Sequence, residues 1–148
     1  MATSSPTTIL LADDDDGHAM LIQRNLRRAG ITNEIIRAVD GQEALEYVYG
    51  TGAHAGINYT PLFILLDINM PRMDGIQTLT QLKADARTKN IPIVMLTTTD
   101  DPREIERCYQ AGCSLYVTKP VEYDAFCDVI QRLGLFLQIV RVSEPNKH

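Results

Sequence analysis

Four separate stretches of the chain carry side chains that could bind a cation and a phosphate. They are the acidic run at 13–16, Asp67, Thr97 and Lys119, and each follows or ends a short apolar run. Carboxylates brought together repel one another and raise their own pKa values unless a cation joins them. Because Mg²⁺ is a hard cation that prefers oxygen ligands, these residues predict a magnesium site if the fold gathers them.

Each of these residues also has an ordinary structural explanation. Asp67 could cap a strand end or form a turn, Thr97 could satisfy a neighbouring backbone group, and Lys119 could be a surface residue. Their occurrence together at strand ends favours the functional interpretation.

The acidic run at 13–16 could equally be a solvated loop that caps the next helix. Asp15 and Asp16 keep that assignment, since the helix dipole favours acids in a first turn. An EF-hand loop is excluded, because Gly17 as its sixth residue would make Ala12 the first ligand.

Short apolar runs alternate with helical patterns along the chain. Strands are predicted at 8–12, 34–39, 62–66, 92–96 and 115–117, and helices at 19–29, 42–49, 76–86, 103–111 and from Tyr123 onward. Strict alternation implies right-handed crossovers and a doubly wound α/β fold, a five-stranded parallel sheet with helices on both faces. Ligands of such sheets bind outside the carboxyl ends of the strands, where the candidate residues fall.

The composition fits a single domain, with 148 residues of which 45% are apolar. A formal net charge of −5 argues against nucleic-acid binding. The sequence shows no secretion signal and no apolar stretch of about 18 residues, so we expect a cytoplasmic protein without a membrane contact. The three cysteines form no C-x-x-C pair and are predicted to be reduced core residues, and no histidine has a predicted metal or triad role.

The motifs ILLADDDD, LLDINMPRMDG, VMLTTTDD and AGCSLYVTKP occur in this order. Taken together they make the chain resemble a two-component response-regulator receiver domain, from about Thr8 to Leu133. The resemblance implies a flavodoxin-like sheet with strand order 2-1-3-4-5.

The resemblance also implies a Mg²⁺ site on the matching positions. Asp14 would be a direct ligand and Asp13 would act mainly through water. Asp67 and the backbone carbonyl of Asn69 would complete the protein ligands.

The implied chemistry is transfer of a phosphoryl group to Asp67. Thr97 would hydrogen-bond the phosphoryl group and Lys119 would neutralise it. These roles agree with general chemistry, because a carboxylate is a poor nucleophile unless cations neutralise the charge that develops on the phosphoryl group.

A switch is implied by the same resemblance. Thr97 would turn towards the phosphoryl group, and Tyr116 would move into the space behind it, although Tyr116 could also be a plain structural residue. Asn69, Thr98 and Thr99 would border the phosphate, and Asn69 and Thr99 would influence its lifetime.

We divide the chain into a flexible leader at 1–7, a receiver domain at 8–134 and an extension at 135–148 that continues the last helix. The Gly-rich loop at 49–61 and the apolar tail resemble the phytochrome-associated single-domain response regulators, whose relatives tend to form homodimers. A dimer or partner contact is therefore predicted on an apolar stripe, although the tail could instead fold back on its own domain. The stripe contains Phe126, Ile130, Leu133, Phe136, Leu137 and Val140.

The predicted function is a signalling module, not an enzyme, that takes phosphate from a histidine kinase, with a phytochrome-type photoreceptor kinase as a candidate partner. One alternative is a phosphatase of the haloacid-dehalogenase kind, but Asn69 stands where that class needs a second acid. Another is a receiver-like scaffold that binds partners without being phosphorylated.

Overall fold

A computed structural model describes residues 7–52, 55–56, 62–98 and 100–139. Within them, five strands alternate with five helices: β1 (Thr8–Ala12), α1 (Asp16–Arg28), β2 (Ile35–Ala38), α2 (Gly41–Tyr49), β3 (Leu62–Asp67), α3 (Gly75–Ala84), β4 (Ile93–Thr97), α4 (Pro102–Ala111), β5 (Leu115–Thr118) and α5 (Tyr123–Ile139). All strand pairs are parallel, in the order β2-β1-β3-β4-β5, which confirms the predicted fold. In these residues no helix is both long and apolar enough to cross a bilayer.

An aspartate caps the N-terminus of each of the first four helices. The caps are Asp15, Asp40, Asp74 and Asp101, and the side chain of each accepts a backbone N–H from the first turn. These bonds satisfy donors that the helix itself leaves unpaired. Helix α1 begins three residues earlier than the periodicity predicted because the cap is Asp15.

Successive residues of the central strands pack against opposite helical layers. Leu10 and Ile64 face the layer that contains α2, α3 and α4, whereas Leu11 and Leu65 face α1 and α5. All four side chains are almost completely buried. This alternation explains why the strands are apolar throughout, since both faces of the sheet are covered.

The apolar stripe of α5 requires a correction to the predicted dimer surface. Phe126, Ile130 and Leu133 are at most 5% exposed and pack in the core with α1, so they are not available for a contact with another chain. Leu137 is partly buried against the same core, and Phe136 is 45% exposed. Val140 lies outside the described residues. The helical period was correct, but the first half of the stripe faces its own domain.

The helices are anchored to the core unevenly. Helix α1 buries four residues and is joined to α5 by a hydrogen bond from Gln131 to the buried Asn25. Helix α4 buries only Cys108. Cys108, Cys113 and Cys127 are all buried and free, as predicted. Helix α4 is therefore anchored by fewer buried side chains than α1.

Candidate metal and phosphate site

The register of the sheet brings the predicted site residues to one edge. The β1–β3 register pairs the residues that precede Asp13 and Asp67, so these two acids lie at the same level. The β4–β5 register pairs Thr97 with the residue that precedes Lys119. All four residues thus stand at the carboxyl ends of adjacent strands, where a doubly wound fold places its ligand site.

Three carboxylates form the centre of this edge. Asp13, Asp14 and Asp67 each offer one oxygen, and these oxygens lie within 4.8 Å of one another. Asp13 is 1% exposed and Asp67 is 7% exposed, whereas Asp14 is open to solvent. The cluster is therefore enclosed by the protein and open on one side.

The ammonium group of Lys119 is the cation of the cluster. Its Nζ atom lies 3.5 Å from Oδ2 of Asp13 and 3.6 Å from Oδ2 of Asp67, and the residue is 4% exposed. Three carboxylates and one ammonium leave a formal charge of −2. A buried excess of negative charge is unfavourable, and a divalent cation would neutralise it.

The electrostatic environment disfavours ionisation of the Asp67 carboxyl. Burial raises its pKa to about 6, while the nearby Lys119 acts in the opposite direction. The charges of Asp13 and Asp14 raise this pKa further, and the N–H of Asn69 lowers it. A bound cation would shift this balance towards the carboxylate.

The hydrogen bonds of Asp13 show which of its oxygens could bind a cation. Its backbone carbonyl accepts two hydrogen bonds from Arg37, at 3.1 and 2.9 Å, and its Oδ1 accepts the N–H of Asp15 at 2.9 Å. Its Oδ2 atom is buried and accepts no hydrogen bond from the residues that the structure describes. This oxygen lies 3.5 Å from Nζ of Lys119 but receives no hydrogen bond, and together with two further carboxylates it makes a donor set that suits Mg²⁺.

Arg37 is a site residue that the sequence analysis missed. Besides the two bonds to Asp13, its guanidinium group pairs with Asp16, so it fastens the loop that carries the acidic run. Arg37 belongs to β2, the edge strand that contributes no acid to the cluster. The only available signal was a single basic residue within the mainly apolar run at 34–39.

Thr97 and Tyr116 are in direct contact. Thr97 is completely buried at the end of β4, and its side chain is hydrogen-bonded to the half-buried phenol of Tyr116. Burial raises the pKa of Tyr116 to about 12, and the neighbouring Glu104 and Cys108 add to this effect. The environment of the phenol therefore favours its protonated form.

The remaining predicted neighbours are less enclosed. Asn69 is exposed, and its backbone N–H donates to Oδ1 of Asp67 at 3.3 Å. Thr98 is exposed at the end of β4, and Thr99 lies outside the described residues. The role of the Asn69 carbonyl and the influence of these residues on the phosphate stay predictions.

Known proteins are similar in sequence to this chain over most of its length. It is 35% identical over 125 residues to the probable methanogenesis regulatory protein FilR2 of Methanothrix harundinacea, an alignment that spans 84% of this chain and 79% of FilR2. It is 32% identical over 134 residues to the response regulator Rcp1 of Synechocystis sp., which spans 90% of both chains.

Solved structures share the fold as well. A response regulator receiver domain from Rhodospirillum rubrum superposes with a TM-score of 0.86 at 43% identity, over 95% of this chain and 99% of that one. The Mn²⁺-bound form of Rcp1 gives 0.85 at 28% identity, over 93% and 99% of the two chains. The phosphorylated cyanobacterial phytochrome response regulator RcpA gives 0.84 at 27% identity, over 96% and 100%.

The sequence profile of the response regulator receiver domain matches residues 9–131, which include every strand end of the acidic cluster. One of the structures superposed above, RcpA, is a phytochrome response regulator, the subgroup that the tail and the Gly-rich loop indicated. The order of the strands, the gathered carboxylates and the adjoining lysine agree with this match. The chain therefore belongs to the family of response regulator receiver domains.

Proposed function

We propose that the chain is a single-domain response regulator that accepts a phosphoryl group on Asp67 from a histidine kinase, in a reaction that requires Mg²⁺. The observation that carries this proposal is the cluster of Asp13, Asp14 and Asp67 beside the buried ammonium of Lys119. The buried Oδ2 of Asp13, which accepts no hydrogen bond from the described residues, supports the assignment of a metal to this cluster.

The residues of the cluster would divide the work of phosphoryl transfer. An oxygen of Asp67 attacks phosphorus, the bond between phosphorus and the kinase histidine breaks, and the electron pair of that bond stays on the imidazole nitrogen. Lys119 stands close enough to neutralise charge on the transferred group. Bound Mg²⁺, held by Asp13, Asp14, Asp67 and the Asn69 carbonyl, would supply further neutralisation and hold the group in line.

Phosphorylation would be transmitted through Thr97 and Tyr116. A new phosphoryl group offers strong acceptors, so the Thr97 hydroxyl would leave its bond with Tyr116 and donate to the phosphate. The released phenol would then adopt a second position, which changes the surface near β5. Thr97→Ala should therefore accept phosphate but lose the phosphate dependence of partner binding.

We infer two partners for this module. The likeness to RcpA and Rcp1 supports a phytochrome-type histidine kinase as the phosphate source. The exposed Leu135 and Phe136 on the last two turns of α5, at 58% and 45% exposure, support a homodimer contact there. Light scattering of the full chain tests the dimer.

Incubation with a small phosphodonor and Mg²⁺ tests the proposed function. We expect a mass gain of one phosphoryl group that disappears in EDTA and in Asp67→Asn. Asp128→Asn is the matched control, because Asp128 is an exposed carboxylate on α5 that pairs with Arg132 and not with a residue of the cluster. A chain that gains no mass with Mg²⁺ present would support the scaffold alternative instead.

A further inference from the structure

The loop between Asp67 and α3 contains a strained turn. Among the residues that the structure describes, Arg72 is the only non-glycine residue with a positive φ, at 62°. The N–H of Met73 donates to the carbonyl of Pro71 at 2.6 Å, which closes a three-residue turn around Arg72. A turn of this kind with a positive φ at its centre is rare and strained, and glycine would occupy it more easily.

The side chain of Arg72 explains why glycine is absent. Its Nε and Nη2 atoms donate to the two carboxylate oxygens of Asp40, at 2.7 and 3.1 Å. The side chain of Asp40 is only 5% exposed, and its Oδ1 also accepts the N–H of Glu43 as the cap of α2. This two-point bond joins the strained turn to a buried carboxylate on the loop between β2 and α2.

A second contact joins the same two loops. The N–H of Gly41 donates to the carbonyl of Met73 at 3.1 Å, and a Cβ atom on Gly41 would lie 2.5 Å from that oxygen. The base of the loop is closed by the N–H of Gly75, which donates to the carbonyl of Ile68 at 2.8 Å. Asn69 is therefore held between the closed base and the strained turn.

We propose that Arg72 is a positioning residue for the metal site. By its bond to Asp40, Arg72 fixes the turn at 71–73, and this turn fixes the backbone of Asn69 beside Asp67. The inference rests on the proposed Mg²⁺ site. It adds that the loop of Asp40, which contributes no proposed ligand, holds the loop that carries Asn69 in place. Arg72 is not one of the proposed metal ligands, so it would act only through the backbone that it positions.

Three substitutions separate positioning from folding. Arg72→Gly removes the tether and relieves the strained φ, but it leaves the buried Asp40 carboxylate without its partner, so its metal affinity is compared at a temperature at which circular dichroism shows the variant to be fully folded. Asp40→Asn keeps an oxygen to cap α2 but loses the charge that attracts Arg72. Arg72→Lys keeps the positive charge without the two-point geometry, so its metal affinity should lie between that of Arg72→Gly and that of the unsubstituted chain.

Arg87→Gly is the matched control. Arg87 also forms an ion pair of 2.7 Å, with Asp85, and its side chain is similarly exposed at 69% against 61% for Arg72. It lies after α3, away from the acidic cluster. Its loss should leave metal binding unchanged.

The experiment is a titration of the full chain with Mn²⁺, followed by electron paramagnetic resonance, and with Mg²⁺ by calorimetry. We expect affinity to fall about tenfold in Arg72→Gly and in Asp40→Asn, as for other supporting residues of metal sites. The double variant should lose no more than either single variant, because both remove one tether. In metal-free protein, the amide of Met73 should exchange with deuterium faster in Arg72→Gly.

Two results would overturn the inference. One is an affinity within about twofold of the unsubstituted chain in both Arg72→Gly and Asp40→Asn, since supporting residues typically matter more than this. The other is an equal loss in Arg87→Gly. If the unsubstituted chain bound neither ion, the proposed function would fail first, and that outcome is visible before any variant is compared.

Discussion

Replacing Asp67 by asparagine should stabilise the metal-free protein at neutral pH. Asp67 is nearly buried beside two other carboxylates, and burial raises its pKa to about 6 from an ordinary value of 3.8. Ionising this group in the folded protein is therefore costly. Asparagine has almost the same shape and carries no charge, so Asp67→Asn removes that cost.

The pKa difference sets the size and the sign of the effect. Each pKa unit corresponds to about 1.4 kcal/mol, so a shift from 3.8 to about 6 corresponds to at most about 3 kcal/mol. A carboxyl whose pKa is raised by folding contributes stability below the unfolded pKa and loses it as pH rises through the folded pKa. The advantage of Asp67→Asn should thus be small at pH 4 and grow to its full size above about pH 6.

Urea unfolding in EDTA across this pH range measures the difference. For a chain of this size, about 3 kcal/mol corresponds to a rise of about 10 °C in the thermal midpoint. Saturating Mg²⁺ should stabilise the unsubstituted protein and remove most of the difference, because the metal binds only the folded chain. Asp85→Asn is a control of opposite sign, since Arg87 holds the pKa of the half-buried Asp85 at about 2.

A variant no more stable than the unsubstituted protein at pH 7.5 in EDTA would refute this reasoning. A gain that is the same at every pH would refute it too, because it would arise from packing and not from charge.

Further substitutions test the supports of the site and the faces of α5. Arg37→Met should weaken Mg²⁺ binding about tenfold in a calorimetric titration, because it frees the Asp13 loop, whereas Arg24→Met on the exposed face of α1 should not. Gly75→Ala should cost about 2–3 kcal/mol in urea unfolding, since its Cβ would lie 2.2 Å from the Asp67 carbonyl; Gly17→Ala is the tolerated control. Leu133→Ala should cost about 2–5 kcal/mol without affecting assembly, whereas Phe136→Asp should leave stability nearly unchanged and abolish the dimer in light scattering.

The sequence was sufficient to predict the strands and most of the site. Every strand boundary fell within one residue of its observed position, because strands buried on both faces are apolar throughout and end where polar residues begin. Parallel pairing then placed Asp13, Asp67, Thr97 and Lys119 at one edge without further information. The starts of α2 to α5 also fell within one residue of prediction, whereas α1 begins three residues earlier than its periodicity indicated.

Contacts between distant loops could not be predicted in this way. Arg37 and Arg72 bind partners 24 and 32 residues away, and no periodicity encodes which loop a long side chain will reach. The assignment of α5 failed for a related reason. A helical stripe shows that one face is apolar, but it does not say whether α1 or another chain covers that face.

Helix α4 buries only one residue, and all three native cysteines are buried. Both features suit the protein to fluorescence measurements with a thiol-reactive dye. Burial raises the pKa of the Cys108 thiol to about 11 and also raises that of Cys113, so neither competes readily for a maleimide dye. A cysteine introduced at the exposed Arg107 on α4 would therefore carry the label without removal of the native cysteines. The same dye at the exposed Arg24 on α1, a helix that buries four residues, would serve as the reference against which a change at α4 is compared.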